Sequence, residues 1–369
     1  MRFPLIFQFL LLVPGIQAGK KPSAPQVPPP TGIHRVGRLD LPVTDNSRAD
    51  KFDPSSRRKV LLSIFYPTVE RSQPSPYIPE ALAQAFETTF NFPPTLSTVR
   101  SHAKRNAHPL PLLAHKRKRL IFSHGGGTSA LIHAALHEDL ASHGYIVISI
   151  DHPYDATAVQ FPDGQVIRRF PGGFSDELVT KWYTQRLEDI AFVDDFTADL
   201  SVLFKKAGRR TPAALFGHSF GGAVIAGAMV EGPSRFVGGL NFDGAFWGSS
   251  VDGDVQNPFF LVGPPERAPP GDESWVPFKA AQSEWVKEAH INGTGHYAFS
   301  DFSVYAEVLG WREALGDAAT EELVGTIDGF RITDIQRKYT KDFMDWVLRS
   351  GTGRLSNGPS PKFPEITFV

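Results

Sequence analysis

Cysteine is absent from this chain of 369 residues. Its absence excludes disulfide staples, thiolate metal sites and a cysteine nucleophile, so stability has to come from a packed core. An apolar content of 41% in a chain this long can supply one. Charge of one sign is not in excess either: 38 basic side chains face 39 acidic ones, which removes any general attraction to nucleic acid or to an anionic membrane. Beyond Ala18 no stretch is apolar for long enough to cross a bilayer as a helix. Phosphate-binding loops, dinucleotide fingerprints and internal repeats are also missing, and with them the sequence basis for a nucleotide cofactor.

What is present begins with Met1-Arg2, an apolar run from Phe3 to Val13 broken by Gln8, and small residues up to Ala18. One early charge, a short hydrophobic stretch and a small residue at the end predict a secretory signal peptide cleaved after Ala18, hence a secreted protein. Residues 19–35, rich in Lys, Pro and Ser and containing Pro28-Pro29-Pro30, predict an extended, mobile linker. A single domain is expected over 36–369.

Alternating Val36–Leu41 and apolar Val60–Tyr66 read as antiparallel strands at the edge of a sheet. Residues 70–119 loosen into an insertion with one helical stretch, Pro79–Thr89, expected as a lid or pocket wall. Its basic end, Lys116–Arg119, reads as a solvated start to the next strand. Leu120–Ser123, a helix over Ser129–Ser142 closed by Gly144, and Tyr145–Ile150 follow as strand, helix, strand, which implies a right-handed crossover and a parallel sheet. A long amphipathic stretch over Leu178–Lys206 comes next. Further strands are expected at Ala213–Phe216, Phe236–Phe242, Pro258–Val262 and Ala289–Ile291, then a helix over Ile332–Leu348 and a proline-rich tail. The fold class is α/β: a mostly parallel central sheet with helices on both faces.

The chain is organised around Gly217-His218-Ser219-Phe220-Gly221, which joins an apolar strand to a helix of small residues. A Gly-x-Ser-x-Gly turn between strand and helix is a nucleophile elbow, with Gly217 and Gly221 letting neighbouring backbone pass close to a strained serine. Ser219, Asp243 and His296 fall in that order, each just past a predicted strand, which is the chain order of an α/β-hydrolase triad. A serine hydroxyl needs a base, here His296 in a Gly-x-Gly-His loop, and the base needs a carboxylate to fix its tautomer. For that acid the chain offers Asp243 and, one strand later, Glu266 or Asp272. An oxyanion needs two amide donors, and the candidates are the N–H groups of Phe220, next to the serine, and of Gly126 in the loop His124–Gly127. Such a site needs no metal or other cofactor.

Other patterns are weaker. His133 and His137 stand four apart on a predicted helix, a metal-ligand spacing, but no zinc motif surrounds them. Asn292-Gly293-Thr294 is a glycosylation sequon beside the proposed base. The aromatic tract Gly172–Tyr183 reads either as a peripheral lipid-contacting patch or as a buried loop, the latter being favoured.

Four blocks carry a family resemblance: Phe122-Ser123-His124-Gly125, Ser142–Val147 with Asp151-His152, Gly217–Ala223, and Gly293–Phe302. With them the chain resembles the secreted, plasma-type platelet-activating factor acetylhydrolases, which are calcium-independent phospholipases of the α/β-hydrolase superfamily. The resemblance implies Ser219 as nucleophile, His296 as base, Asp243 rather than Glu266 or Asp272 as acid, and the Gly126 and Phe220 amides as oxyanion donors. It implies an enzyme that removes short acyl groups from esters, such as the sn-2 acetyl of an ether phospholipid, and a monomer is expected. The plasma enzyme carries leucine where this chain has Gly126, and residues 70–119 find no match, so the chemistry is expected to transfer more firmly than the lipid specificity. An esterase of other small esters, lactones or polyesters, and a non-catalytic binding protein on the same fold, are the alternatives.

Overall fold

The computed structural model describes residues 24–71, 75–110, 118–204, 210–266, 272–349 and 351–369. The proposed signal peptide and the Lys116-Arg117 pair lie outside them. Ten strands form one sheet: β1 (Arg35–Ala49), β2 (Arg57–Thr68), β3 (Lys104–Arg105), β4 (Arg119–Ser123), β5 (Ile146–Asp151), β6 (Ala213–His218), β7 (Phe236–Phe242), β8 (Phe259–Gly263), β9 (Val286–Ile291) and β10 (Ile366–Phe368). Their order across the sheet is β10-β9-β8-β7-β6-β4-β5-β2-β1-β3. From β9 to β5 all neighbours are parallel, whereas β2 joins β5 antiparallel and β1 joins β2 antiparallel.

Strands β4, β5, β6 and β8 are buried along their whole length and β7 everywhere but Val237, as apolar strands covered on both faces must be. Helices α1 (Glu80–Phe90), α2 (Ala134–Ser142) and α6 (Gly329–Arg349) share one hydrophobic cluster, and α3 (Asp176–Thr197) and α4 (Phe220–Glu231) pack into a second on the opposite face. Between α4 and α6 runs the short α5 (Phe302–Val308). The start of α3 is defined by Ser175, whose side chain accepts from the Leu178 N–H, with Asp176 and Glu177 in its positive first turn.

Three expectations are corrected. Residues 24–35 are not a free linker: Val27 is buried, Arg337 donates to the carbonyls of Pro28 and Pro29, and the Thr31 and Gly32 N–H groups bond to Asp139 and Ser142. A polyproline segment presents unpaired carbonyls in a regular row, so a cation beside it can fix what composition alone reads as mobile. Arg119 is not solvated but fully buried, 2.8 Å from Asp194. The proline-rich tail ends in Ile366–Phe368, which adds an antiparallel strand beside β9. The described part of the insertion packs on α5 through Phe86, Phe90 and Phe92 around Phe302, and Phe90 meets Tyr297, a cleft residue, edge-on; none of its described residues lines the Ser219 cleft itself. It therefore supports the site from behind instead of covering it.

Candidate active site

Ser219 sits between β6 and α4 with φ 54° and ψ −129°, a conformation that non-glycine residues avoid. The turn is closed by its N–H on the Phe242 carbonyl at 2.8 Å and by the Gly222 N–H on its own carbonyl at 2.7 Å. Glycine is obligatory at two flanking positions: a methyl group at Gly217 would meet the Gly221 carbonyl at 2.5 Å, and one at Gly221 would meet the Ser123 oxygen at 2.0 Å. The residue types of the turn therefore follow from how closely β6, α4 and the end of β4 approach one another.

Three side chains meet there. Asp243 Oδ2 accepts from His296 Nδ1 at 2.5 Å, and His296 Nε2 accepts from the Ser219 hydroxyl at 2.9 Å. The first bond selects the tautomer that leaves Nε2 free of hydrogen to face the serine. Asp243 is buried and also holds a positive φ, 49°. Its turn is built by Asn241, which accepts from the Gly244 N–H and donates to the Gly244 carbonyl, both at 2.8 Å. Glu266 is exposed, and Asp272 accepts from the Ser274 N–H and hydroxyl, so of the three acids it is Asp243 that the fold brings to His296. His218 adds a support the sequence did not reveal: its Nε2 donates to the His296 carbonyl at 3.0 Å. Burial, with help from the neighbouring His296, pushes its pKa well below the usual histidine value, so it stays neutral.

The loop after β4 lies across from the serine. A methyl group on Gly126 would stand 3.6 Å from Phe220 Cβ, which puts the two proposed donor residues side by side. Beneath this loop, Arg186 of α3 is buried and pairs with Asp155. Its guanidinium donates to the His124 carbonyl, to that of Gly125 at 3.3 Å, and to Ser123 Oγ at 3.1 Å, while Asp155 accepts from the Gly127 N–H at 3.3 Å. The carbonyls of the loop are thus turned inward. Nothing in the local sequence of α3 signalled this, because the partners are some sixty residues apart.

The cleft above Ser219 has a volume of about 510 Å³. Gly126, Phe220, His296 and Tyr297 form its floor, and Phe174, Val179, Trp182, Phe246 and Trp247 wall it. The aromatic tract of residues 172–183 divides: Phe174 is 60% exposed, whereas Trp182 and Tyr183 are buried. His133 and His137 are buried against Phe122, and no group of three metal-ligating side chains occurs among the described residues. Asn292 is exposed on the turn that follows β9.

A parallel sheet that gathers a serine on a strained turn, a histidine and an aspartate at its strand ends defines an α/β-hydrolase. Agreement comes from two family comparisons: the alpha/beta hydrolase family matches residues 120–351, and the family described as platelet-activating factor acetylhydrolase, isoform II, matches residues 20–162. The chain is 30% identical, over 97% of both chains, to a probable 1-alkyl-2-acetylglycerophosphocholine esterase of Arthroderma benhamiae. It is 28% identical to the platelet-activating factor acetylhydrolase of Cavia porcellus, over 56% of this chain and 53% of that one. Among solved structures it is similar to a ferulic acid esterase from Streptomyces cinnamoneus, with a TM-score of 0.81 and 28% identity over 94% of this chain and all of that one. The chain belongs to the platelet-activating factor acetylhydrolase family and is a hydrolase of carboxylic esters.

Proposed function

We propose that Ser219 is the nucleophile of this esterase, His296 its general base and acid, and Asp243 the carboxylate that orients the imidazole. Ser219 Oγ attacks the ester carbonyl as His296 Nε2 takes its proton, and the oxygen that becomes negative accepts from the amides of Phe220 and Gly126. Collapse expels the alcohol, which takes the proton from His296. Water, deprotonated by the same nitrogen, then releases the acyl group from the serine. The observation that carries this reading is the continuous hydrogen-bonded chain Ser219–His296–Asp243, at 2.9 and 2.5 Å.

For the substrate we propose a short acyl ester, with the sn-2 acetyl of an ether glycerophosphocholine as the leading class. The support is the family and the full-length relative named for that activity. A second reading, an ester with an aromatic acyl group, draws support from the aromatic walls of the cleft and from the likeness to a ferulic acid esterase. One chain carries the whole constellation, so a monomer suffices. Export through cleavage after Ala18 is proposed from the sequence of residues 1–18.

Ser219→Ala is expected to abolish both 4-nitrophenyl acetate turnover and labelling by a fluorophosphonate while circular dichroism stays unchanged. Full activity in that variant would end the proposal. Comparing kcat/KM for 1-alkyl-2-acetylglycerophosphocholine with that for methyl ferulate separates the two substrate readings.

A further inference from the structure

Among the described residues Arg169 is a cation without a counter-ion beside the candidate active site. Its guanidinium lies 4.3 Å from the ring centroid of Phe174 and 5.1 Å from that of Trp182, the two aromatic walls of the Ser219 cleft. It also reaches the glycine loop, where a methyl group on Gly127 would come 3.2 Å from Nη1. Nε and Nη2 are buried, and among the described residues they have no hydrogen-bond partner and the guanidinium makes no ion pair. Nη1 is the accessible nitrogen.

Elsewhere in this protein buried guanidinium groups are neutralised. Arg58 sits 2.6 Å from Asp189, Arg119 sits 2.8 Å from Asp194, and Arg186 pairs with Asp155. A buried donor without a partner is unfavourable, and ring faces recover only part of what water or a carboxylate would give. Neither nearby acid fills the role. Asp155 is held by Arg186 and by the Gly127 N–H, and Asp176, which lines the cleft, makes no ion pair among the described residues. The charge is felt across the cleft: burial raises the Tyr297 phenol, and Arg169 pulls it back down.

We infer that Arg169 is an anion-binding residue of the active site, so that the ester taken here carries a negatively charged group, a phosphodiester or a carboxylate, beside the loop of Gly126 and Gly127. The guanidinium rests against two rings, which orders it in advance, and an arriving anion supplies the missing partner. The orientation of the substrate relative to Ser219 rests on the nucleophile assignment above; the anion site itself does not.

The test compares wild type with Arg169→Met, which keeps the stacking volume, and Arg169→Lys, which keeps the charge. Three acetate esters serve as substrates: a 2-acetyl glycerophosphocholine, O-acetyl-lactate, and its neutral methyl ester. In Arg169→Met the preference for one of the anionic esters over the neutral one, as a ratio of kcat/KM, is expected to fall about tenfold to a hundredfold, chiefly through KM, with Arg169→Lys in between. Loss on the phosphate arm alone identifies a phosphodiester, and loss on the lactate arm alone a carboxylate. An unchanged ratio on both arms overturns the inference. Calorimetric binding of glycerophosphocholine and of lactate to Ser219→Ala, with and without Arg169→Met, reads the site without turnover. Arginine-dependent binding in a Ser219→Ala protein that retains full turnover would sink the nucleophile assignment and keep the anion site. Binding of neither anion in the parent would sink the anion site alone.

Discussion

Two side chains of the proposed catalytic unit, Ser219 and Asp243, sit at positive φ, 54° and 49°. Each such residue stores on the order of 1–3 kcal/mol that surrounding contacts must offset. Glycine adopts the Ser219 conformation without strain, so Ser219→Gly is expected to be more stable than Ser219→Ala by about 1 kcal/mol in urea unfolding, with both inactive. Equal stabilities would mean that the elbow is unstrained. Replacing Asp243 with Asn keeps the shape but favours the wrong imidazole tautomer, and kcat is expected to fall about ten-thousandfold with the fold intact. Ser219 was legible in the sequence because its turn joins an apolar strand to a helix of small residues, and His296 because its Gly-x-Gly-His loop follows the last expected strand; for the acid, chain order allowed Asp243, Glu266 or Asp272, and the family resemblance selected Asp243. Asn241 and His218 were not legible. A polar residue in a strand shows its purpose only when its partner, the Gly244 backbone or the His296 carbonyl, is seen in space.

At the scale of elements, the loop 124–127 depends on α3, because the Arg186 guanidinium holds its carbonyls and Asp155 holds its Gly127 N–H. Arg186→Met leaves Asp155 buried without its cation and is expected to lower stability by about 3–5 kcal/mol. Where the variant is still folded by circular dichroism, kcat for a neutral acetate ester should drop about a hundredfold as the Gly126 amide loses its aim. A fall in stability with no fall in kcat would make Arg186 a structural residue only. The strands and helices themselves were largely readable: the apolar runs ending at Tyr66, Ser123, Ile150 and Phe242 all lie in sheet strands, and the amphipathic stretch after Leu178 lies mostly in α3. What composition misread was where segments rest. Residues 24–35 gain order from Arg337 and α2, and the cleft wall comes from Phe174 and Trp182 instead of residues 70–119. Both depend on contacts more than one hundred residues away or on how a loop folds back, which local pattern does not encode.

For the whole molecule, the distribution of buried titratable groups sets how stability responds to pH. His124, His133, His137, His152 and His218 are all buried, and desolvation lowers each, to about 3 for His137 and about 4 for His152. Below the unperturbed value of 6.5 the unfolded chain takes up protons there that the fold refuses, so these groups stabilise above pH 6.5 and that stability is lost as pH falls toward 4. Asp301 works in the opposite sense. Burial pushes it from 3.8 up to about 7, although the Tyr77 hydroxyl donates to it at 2.6 Å, so its neutral form favours the fold at low pH and stability is lost as pH rises from about 4 to 7. Burial raises Asp151 to about 6 and shifts Glu138 in the same direction, adding to that opposing contribution. Five histidines outweigh three carboxyls, so the urea midpoint is expected to decline on acidification from pH 7 to 5. Asp301→Asn still accepts from Tyr77 but never charges. It should therefore raise stability at pH 8 by about 1–3 kcal/mol and steepen the acid decline, because one opposing group has been removed. Unfolding curves of both proteins at pH 5, 6, 7 and 8 check it: a variant curve parallel to the parent's across that range would mean that Asp301 is charged in the fold throughout.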